Sequence, residues 1–443
     1  MRFNVIYLFL LLLASPVIVY RSWKHGRYRR GIREKLFGVS ANHPAGHSMQ
    51  GEDDCLWVHA VSVGEVNLVR PLVDHLRAER QGTRVVVSTS TDAGFDLAVS
   101  HHGADRVFFC PLDFTWAVSQ TLRTLKPKEL ILAELELWPN LIRRAGDVGV
   151  EVTVVNARLS EKSAAGYQKF GLLTRPTFER LHRVLCQDDV TADRFRQCGT
   201  PIDRVSTTGS LKFDNAPKSR ECTEVQTLAH WAGVSPWHRV WIVGSTQSGE
   251  ETMALEIYRQ LREHFPELRL VIVPRHPERF AEVGEQIQAS GLELRRRSMS
   301  DAAFTRWDSD QVLLVDTIGE LRFWWGVGHF AFVGGSMGDR GGQNMLEPAG
   351  YGCAVAFGPN TKNFREISRR LILGDGAVRV DDAGELEAFI RRCLEDPPAA
   401  DELGRNARKV VDQHRGAMRR TLQQLQVAVQ DAQRFDVQPQ RVA

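Results

Sequence analysis

The sequence predicts an α/β protein with two doubly wound domains, each built on a parallel sheet, and an apolar N-terminal helix ahead of them. Short apolar runs alternate with helix-like segments through most of the 443 residues, which is typical of βαβ units. Several runs end directly in glycine-rich turns, a pattern that favours ligand binding at the carboxyl ends of parallel strands. The chain is also too long for one ordinary core, so we expect two domains.

The first element is an uncharged apolar run at 3–20. Its length is roughly that needed to span a bilayer or to lie deep in one leaflet, and both placements stay open at this stage. A cleaved signal peptide would carry its positive charge ahead of the run, so we predict an uncleaved anchor that leaves the rest of the chain on the cytoplasmic side. The basic flank would also attract anionic headgroups or an anionic lipid substrate. The basic residues that follow the run are Arg21, Lys24, Arg27, Arg29, Arg30, Arg33 and Lys35.

The predicted strands fall into two series of similar size. Those of the first series lie at 56–62, 84–88, 106–110, 129–133, 150–155, 184–187 and 205–209. Those of the second series lie at 240–244, 268–273, 293–296, 312–315, 330–333, 354–357 and 377–380. Two halves of this kind, with glycine-rich turns in both, predict a ligand cleft between them.

These patterns also set the predicted domain boundaries. The anchor and its basic flank take 1–35, the first domain 36–215, a linker 216–234, the second domain with a final helix 235–420, and a tail 421–443.

The composition excludes several classes of protein. The net charge of +3 is close to balanced, so we expect no nucleic-acid partner. The seven cysteines include no C-x-x-C pair, which favours reduced thiols over a disulfide framework or a zinc site. The chain has no Walker loop, no G-x-S-x-G elbow and no complete dinucleotide fingerprint. Its D-x-D, at 308–310, lies ahead of a predicted strand and not after one, so we interpret it as surface and expect no metal site.

Two carboxylate motifs follow strands of the first half. Glu65 lies in SVGE at 62–65, where a strand turns into a helix, and is a candidate general base. A charge that stabilises the helix N-terminus is the alternative. Glu134 and Glu136 lie in ELELWPN at 134–140, and both would share one face if the strand continued. Clustered acids beside an aromatic ring are costly without a partner, which indicates function, although a capped turn fits as well.

A lysine closes the first half. Lys212 lies in TGSLKFD at 208–214, beside the predicted cleft. A lysine in that place can neutralise a leaving phosphate, and the alternative is a simple solvated side chain.

The second half carries the glycine-rich segment GGSMGDRGG at 334–342, between a strand and a predicted helix. Glycines let backbone N–H groups approach an anion, so this segment predicts a nucleotide site. Glu347, inside the helix that follows, suits a ribose diol. GSTQSGEE at 244–251, Arg275 and DTIGEL at 316–321 also follow strands and are candidates for contacts with phosphate, base or ribose. Ordinary βα turns, with Glu250 as a helix cap, are the alternative.

Taken together, six ordered motifs resemble the Kdo transferases, the 3-deoxy-D-manno-octulosonic acid transferases of lipopolysaccharide synthesis (glycosyltransferase family 30 type). The resemblance extends from the N-terminal anchor to about residue 420. The motifs are SVGE at 62–65, ELELWPN at 134–140, NARLS at 156–160 with SAAGY at 163–167, TGSLKFD at 208–214, VPRHPERF at 273–280 and FVGGS at 332–336.

The resemblance implies the GT-B fold, in which two Rossmann-like domains face a cleft. It implies an inverting glycosyltransferase that moves Kdo from CMP-Kdo to a lipid A precursor, lipid IVA, and releases CMP. CMP-Kdo is a co-substrate in this scheme, and neither a cofactor nor a metal is implied. The family works at the inner membrane, with its catalytic body on the cytoplasmic face.

The same resemblance implies roles for particular residues. Glu65 matches the family's proton acceptor, while Glu134 and Lys212 match its transition-state stabilisers. The CMP-contacting residues correspond to Pro274, Arg275, Ile318, Gly319, Glu320, Asn344, Met345, Leu346 and Glu347. The sequence departs from the family pattern at Met345 and at the two tryptophans 324–325, which concern the shape of the donor pocket.

Other functions are compatible with parts of the pattern. A UDP-GlcNAc transferase or a nucleotide-sugar 2-epimerase would share the fold but use a UDP pocket and other acids. A non-catalytic module that binds anionic glycolipid through its basic flank would need none of the later motifs. The sequence does not specify the number of Kdo units transferred, the acceptor's acyl and phosphate pattern, or the oligomeric state.

Overall fold

The computed structural model describes residues 2–25, 29–46, 54–80, 82–299 and 306–425, and the chain divides into two units. Unit 1 consists of Met1–Asp214 with Arg415–Ala443, and unit 2 of Asn215–His414. Each unit is built on a seven-stranded sheet in which all neighbouring strands are parallel. The predicted pair of parallel α/β domains is therefore confirmed.

The sheet of unit 1 has the strand order β3-β2-β1-β4-β5-β6-β7. Its strands are β1 Asp54–His59, β2 Thr83–Thr89, β3 Val107–Phe109, β4 Glu129–Ala133, β5 Glu151–Ala157, β6 Arg183–Cys186 and β7 Val205–Thr207. The helices are α1 Arg2–His25, α2 Ile32–Phe37, α3 Val63–Glu79, α4 Asp92–His102, α5 Thr115–Leu125, α6 Pro139–Asp147, α7 Glu161–Lys169, α8 Gly171–Glu179, α9 Asp189–Cys198 and α10 Leu211–Asp214. The strand order reverses between β1 and β4, where doubly wound sheets open a crevice.

Alternating side chains of each strand build the two cores of unit 1. Leu56 and Val58 of β1 belong to the cluster that also contains the buried face of α3, while Trp57 belongs to the cluster that contains α5 and α6. Both faces of the sheet are thus covered by helices, as parallel sheets require. Because the faces are covered, polar functional side chains are expected at the carboxyl ends of the strands and in the loops that follow them.

Unit 2 has the strand order β10-β11-β9-β8-β12-β13-β14. Its strands are β8 Arg239–Thr246, β9 Leu268–Pro274, β10 Glu293–Arg296, β11 Gln311–Leu314, β12 Phe330–Val333, β13 Ala354–Phe357 and β14 Ala377–Arg379. Its helices are α11 Thr223–Trp231, α12 Glu250–Leu261, α13 Phe280–Ala289, α14 Leu321–Val327, α15 Leu346–Gly350, α16 Arg365–Leu373, α17 Ala383–Glu395 and α18 Pro397–Gln413. The reversal in strand order falls between β8 and β12, which carry the glycine-rich turns.

After unit 2 the chain returns to unit 1 as helix α19, Ala417–Gln424. The backbone N–H groups of Gly416 and Met418 donate to the two carboxylate oxygens of Asp214, at 2.6 and 2.7 Å. Leu422 is buried in a core cluster of unit 1. Gly209 (φ 90°) has no room for a side chain, because a Cβ there would lie 2.8 Å from the guanidinium of Arg420.

This return differs from the predicted boundaries. The sequence predicts the final helix within the second domain to residue 420, but α19 belongs to unit 1. The predicted linker 216–234 contains α11, whose Val225, Leu228 and Trp231 are buried in unit 2. Of the predicted tail, 426–443 lies outside the described residues. Segment composition cannot show which unit a helix packs against, and this explains the difference.

The first turns of helix α1 pack against the rest of unit 1. Asn4 is buried and bonds the Thr115 hydroxyl at 2.7 Å and the Asn140 side-chain amide at 3.1 Å. Tyr7 donates a hydrogen bond to Asp113, and burial followed by this carboxylate raises the pKa of its phenol. None of the helices in the described residues is both long and apolar enough to cross a bilayer.

Candidate active site

The carboxyl edge of the unit 1 sheet brings two of the predicted residues, Glu134 and Lys212, into contact. Glu134 follows β4, is only 5 % exposed, and is held between two cations. Arg158 Nε lies 2.7 Å from its Oε2, and Lys212 Nζ lies 3.1 Å from its Oε1. A buried carboxylate with a cation on each oxygen is fixed in place by two charge-assisted contacts.

The backbone of this edge is strained where the cluster forms. Glu134 has φ 55°, and Asn156, the last residue but one of the neighbouring strand β5, has φ 51°. A non-glycine residue in the left-handed region costs on the order of 1 kcal/mol or more, and such strain concentrates at functional sites. Asn156 also accepts the Leu211 N–H at 3.0 Å, which fixes α10 and with it Lys212.

Glu65 lies in the first turn of α3, which follows β1. Its Oε2 accepts the N–H of Val61 at 2.7 Å, and the described residues offer its Oε1 no hydrogen-bond partner. Burial raises the pKa of Glu65 to about 7, and repulsion from Glu136 and Glu134 adds to this, against the opposing effects of the Val61 N–H and Arg158. A carboxyl group that titrates near neutral pH can accept a proton during a reaction.

The hydrogen-bond and ion-pair partners of Glu136 differ from those of Glu134. Strand β4 ends at Ala133 and does not continue through the two acids, so the condition for their sharing one face is not met. The Trp138 indole N–H instead donates to Glu136 Oε2 at 2.8 Å, and burial raises the pKa of Glu136. The two acids of one motif therefore differ: Glu134 is locked by cations, whereas Glu136 contributes negative potential near Glu65.

Sequence reasoning missed Arg158 as a site residue. Arg158 lies in the motif NARLS at 156–160, but nothing in that motif shows which acidic residue it would pair with. The pairing follows from the sheet order, because β4 and β5 are parallel neighbours and the loops after them start at the same edge. That strand adjacency is the signal that could have found it.

The glycine-rich loop of unit 2 is not free to bind an anion along its whole length. The N–H groups of Gly335, Ser336 and Met337 donate to the carboxylate of Glu250 at 2.8, 3.1 and 3.2 Å. Glu250 is 4 % exposed and also accepts the N–H of Gln247 at 2.8 Å. The expectation that these N–H groups hold a ligand is therefore wrong for 335–337, because an internal carboxylate takes the place of the phosphate.

The predicted CMP-contacting residues lie at the carboxyl ends of strands of the unit 2 sheet or after them. Pro274 ends β9, and the exposed Arg275 comes next. After β11, Ile318 is 81 % exposed beside Gly319 at φ 90°. The carboxylate of Glu320 is not free, since Arg297 donates to both of its oxygens at 3.0 and 2.9 Å.

The third predicted CMP-contacting segment, Asn344–Glu347, contains both partly exposed and fully buried residues. Asn344 donates to Glu347 Oε1 at 3.1 Å, and burial raises the pKa of Glu347, with Arg322 acting in the opposite direction. Met345 and Leu346 are buried, so only their backbone could meet a ligand. No group of three or more His, Cys, Asp or Glu that could hold a metal occurs in the described ranges, and the metal-free expectation stays a prediction.

Comparison with known proteins identifies the class and then the family. The UDP-GlcNAc 2-epimerase of Neisseria meningitidis, solved with UDP-GlcNAc, superposes with a TM-score of 0.55 over 84% of this chain and 99% of that one, at 12% identity. At that identity the likeness concerns the fold alone. The fold is the two-domain α/β architecture of the GT-B glycosyltransferases and related nucleotide-sugar enzymes.

The sequence relatives are more specific. The 3-deoxy-D-manno-octulosonic acid transferase of Haemophilus influenzae is 32% identical over 94% of this chain and 96% of its own length. The enzyme of the same name from Bordetella pertussis is 33% identical over 93% and 96%. Residues 30–215 match the family model described as 3-Deoxy-D-manno-octulosonic-acid transferase (kdotransferase). The chain belongs to the Kdo transferase family, and the predicted resemblance is confirmed.

Proposed function

We propose that this glycosyltransferase moves Kdo from CMP-Kdo to lipid IVA, a lipid A precursor, with inversion at the anomeric carbon and release of CMP. One observation carries the proposal: in a member of this family, Glu65 has a pKa near 7 beside the Glu134 ion-pair cluster. Glu65 is the proton acceptor in this scheme. A sugar hydroxyl is a poor nucleophile near neutral pH, and a carboxylate with a raised pKa is a stronger base than an ordinary glutamate.

Glu134 and Lys212 have the role of transition-state stabilisers. Departure of CMP leaves positive charge on the sugar and negative charge on phosphate. The fixed carboxylate of Glu134 would favour the first charge, and Lys212, which Glu134 orients, would favour the second. Arg158 contacts the other oxygen of Glu134 at 2.7 Å and so fixes the orientation of its carboxylate.

The donor nucleotide is assigned to the strand ends of unit 2. Arg275 is exposed and suits a phosphate, while Glu347 suits the ribose diol. The backbone around Ile318–Glu320 and Asn344–Glu347 would contact the rest of CMP. The reaction needs neither a metal nor another cofactor in this scheme, since cations and backbone dipoles offset the developing charge.

We also propose that the protein works at the cytoplasmic face of the inner membrane. Along α1 the exposed side chains include Val5, Phe9, Leu12 and Leu13. An apolar helix surface of this kind, followed by a basic segment, favours the interface of a membrane that carries anionic headgroups. A phosphorylated lipid acceptor is found at such a surface.

The catalytic proposal is tested by measuring CMP released from CMP-Kdo with lipid IVA as acceptor. Glu65→Ala should lower kcat by roughly 10²–10⁴-fold, the usual contribution of a general base. Asp74→Asn, on the same helix α3, is the matched control and should keep full activity. Full activity in Glu65→Ala would remove Glu65 as the base. A wild type that ignores CMP-Kdo but turns over a UDP-sugar would overturn the donor assignment.

A further inference from the structure

Unit 2 contains a cavity that is lined by none of the residues matched to the family's CMP-contacting segments. Its volume is about 290 Å³, close to the lower end for ligand pockets of ~300–1,000 Å³. It lies where the turn after β8 meets the glycine-rich loop after β12, at the reversal in strand order. The lining residues are Gln247, Ser248, Gly249, Glu250, Met253, Gly335, Met337, Gly338 and Arg340.

The carboxylate in this lining, that of Glu250, is hydrogen-bonded to backbone N–H groups. Glu250 accepts four N–H groups, from Gln247, Gly335, Ser336 and Met337. Several N–H donors on one carboxylate offset its charge and fix both loops to it. Glu250 therefore forms a rigid wall of the cavity and does not repel an anion as an isolated carboxylate would.

Three residues of the glycine-rich loop, Gly338, Asp339 and Arg340, form its crest, and only their carbonyl oxygens are hydrogen-bonded to described residues. The carbonyl oxygens of Gly338, Asp339 and Arg340 accept hydrogen bonds from side chains of the loop after β13, at 3.0, 2.7 and 2.8 Å. The three donors are Asn360, Lys362 and Asn363. In the described part of the chain the N–H groups of these three crest residues have no acceptor. Successive backbone N–H groups that have no acceptor within the protein can bind an anion in a turn.

Arg340 supplies the positive charge. This residue lines the cavity and forms no ion pair with any described residue, while Asp339 beside it does not line the cavity. Arginine has a planar fork that matches a carboxylate with two parallel hydrogen bonds. The remaining lining, with Ser248 and Gln247 as polar groups and two methionines, suits the hydroxyls and carbon skeleton of a sugar.

We propose that this cavity binds the sugar of the donor, with Arg340 pairing to its carboxylate. The assignment rests on the proposed function, in which the donor carries a sugar acid. It gives the enzyme a way to select an acidic sugar, because an uncharged sugar would leave Arg340 without its partner. Arg340 is thus a specificity-determining residue that the nucleotide-contacting segments do not include.

The test compares Arg340→Gln with Arg365→Gln, which changes an exposed arginine of the same unit outside the cavity. For Arg340→Gln we expect KM for CMP-Kdo to rise roughly 10–100-fold, as for a lost charge-assisted hydrogen-bond pair. The Kd of CMP alone should stay within about twofold, and Arg340→Lys should recover part of the loss. Unchanged KM would overturn the site, and an equal loss of CMP affinity would show that the anion is the phosphate.

A binding experiment separates this inference from the proposed function. Free Kdo and its C1 amide are titrated into wild type, Arg340→Gln and Arg365→Gln, and followed by nuclear magnetic resonance. Wild type and Arg365→Gln should bind the acid and not the amide, whereas Arg340→Gln should bind neither. Equal binding of acid and amide would overturn the inference. Acid binding without CMP release from CMP-Kdo would leave the subsite standing and contradict the catalytic proposal.

Discussion

Three buried or half-buried glutamates of this protein differ because of their surroundings and not because of their type. Glu134 is fixed by Arg158 and Lys212, and Glu250 by four backbone N–H groups. Burial raises the pKa of Glu65 to about 7, repulsion from Glu136 and Glu134 adds to this, and its carboxylate accepts the N–H of Val61. Environment thus separates a candidate base from two carboxylates that are fixed by their partners.

The pH dependence of activity follows from Glu65. A general base works only when deprotonated, so kcat/KM should be low well below pH 7 and rise through an apparent pKa of about 7. Removing the negative charge nearby, in Glu136→Gln, should lower that apparent pKa because like charges raise it. The pH–rate profile of CMP release measures both effects. A flat profile from pH 5.5 to 8.5 would contradict the assignment.

At the scale of elements, the loops after parallel strands are held by partners from neighbouring strands. The loop 316–320, which contains the predicted donor residues Ile318 and Gly319, is tied to the end of β10 by two arginines. Arg296 pairs with Asp316 at 3.3 Å, and Arg297 holds Glu320 while its guanidinium lies 4.5 Å from the centre of the Trp231 ring. Glu320 therefore positions this loop instead of offering a free carboxylate to CMP.

Breaking this tie should weaken donor binding. In Arg297→Gln, Glu320 loses its bidentate partner and the loop backbone is less well fixed, so KM for CMP-Kdo should rise roughly tenfold with kcat changed much less. Arg297→Lys should recover only part of the effect. Arg306→Gln, which removes an exposed ion pair with Asp308 in the same unit, is the control and should act like wild type. A fall in kcat alone would argue against a positioning role.

At the scale of the whole chain, unit 1 is discontinuous in sequence. Residues from Arg415 return to it, and Arg420 donates to the Thr208 carbonyl at 2.7 Å while Arg80 donates to that of Leu425 at 2.8 Å. The motif TGSLKFD at 208–214 is held by this segment, since Asp214 accepts two of its N–H groups. Lys212 is thus supported by residues more than 200 positions away in sequence, as the separation of the Asp214 and Gly416 pair shows.

The membrane proposal also belongs to this scale. Leu12 and Leu13 of α1 are 70% and 61% exposed, and the double change to Asp should reduce binding to anionic vesicles by tenfold or more, from a burial free energy of roughly 1.5–3 kcal/mol per leucine. Leu373→Asp, at a 71% exposed position of unit 2, should bind like wild type. Co-sedimentation with vesicles of phosphatidylglycerol measures this, and equal binding of all three proteins would contradict the proposal.

The sequence by itself determined the two parallel α/β domains, most strand positions and the family. Buried parallel strands read as continuous apolar runs, so the prediction at 84–88 matches β2 and that at 330–333 matches β12. The motifs likewise place Glu65, Glu134 and Lys212 after strands, because strand ends are marked by a change from apolar to polar residues.

Only the tertiary structure decided which groups meet. Arg158 faces Glu134 because β4 and β5 are adjacent, and Glu250 takes the N–H groups of a loop some 85 residues further on, as the separation of its bond with Gly335 shows. The tertiary structure also assigned α11 to unit 2 and α19 to unit 1. Local patterns record burial and backbone conformation, whereas the partner of a buried charge is set by the order of strands in a sheet, which no short stretch of sequence contains.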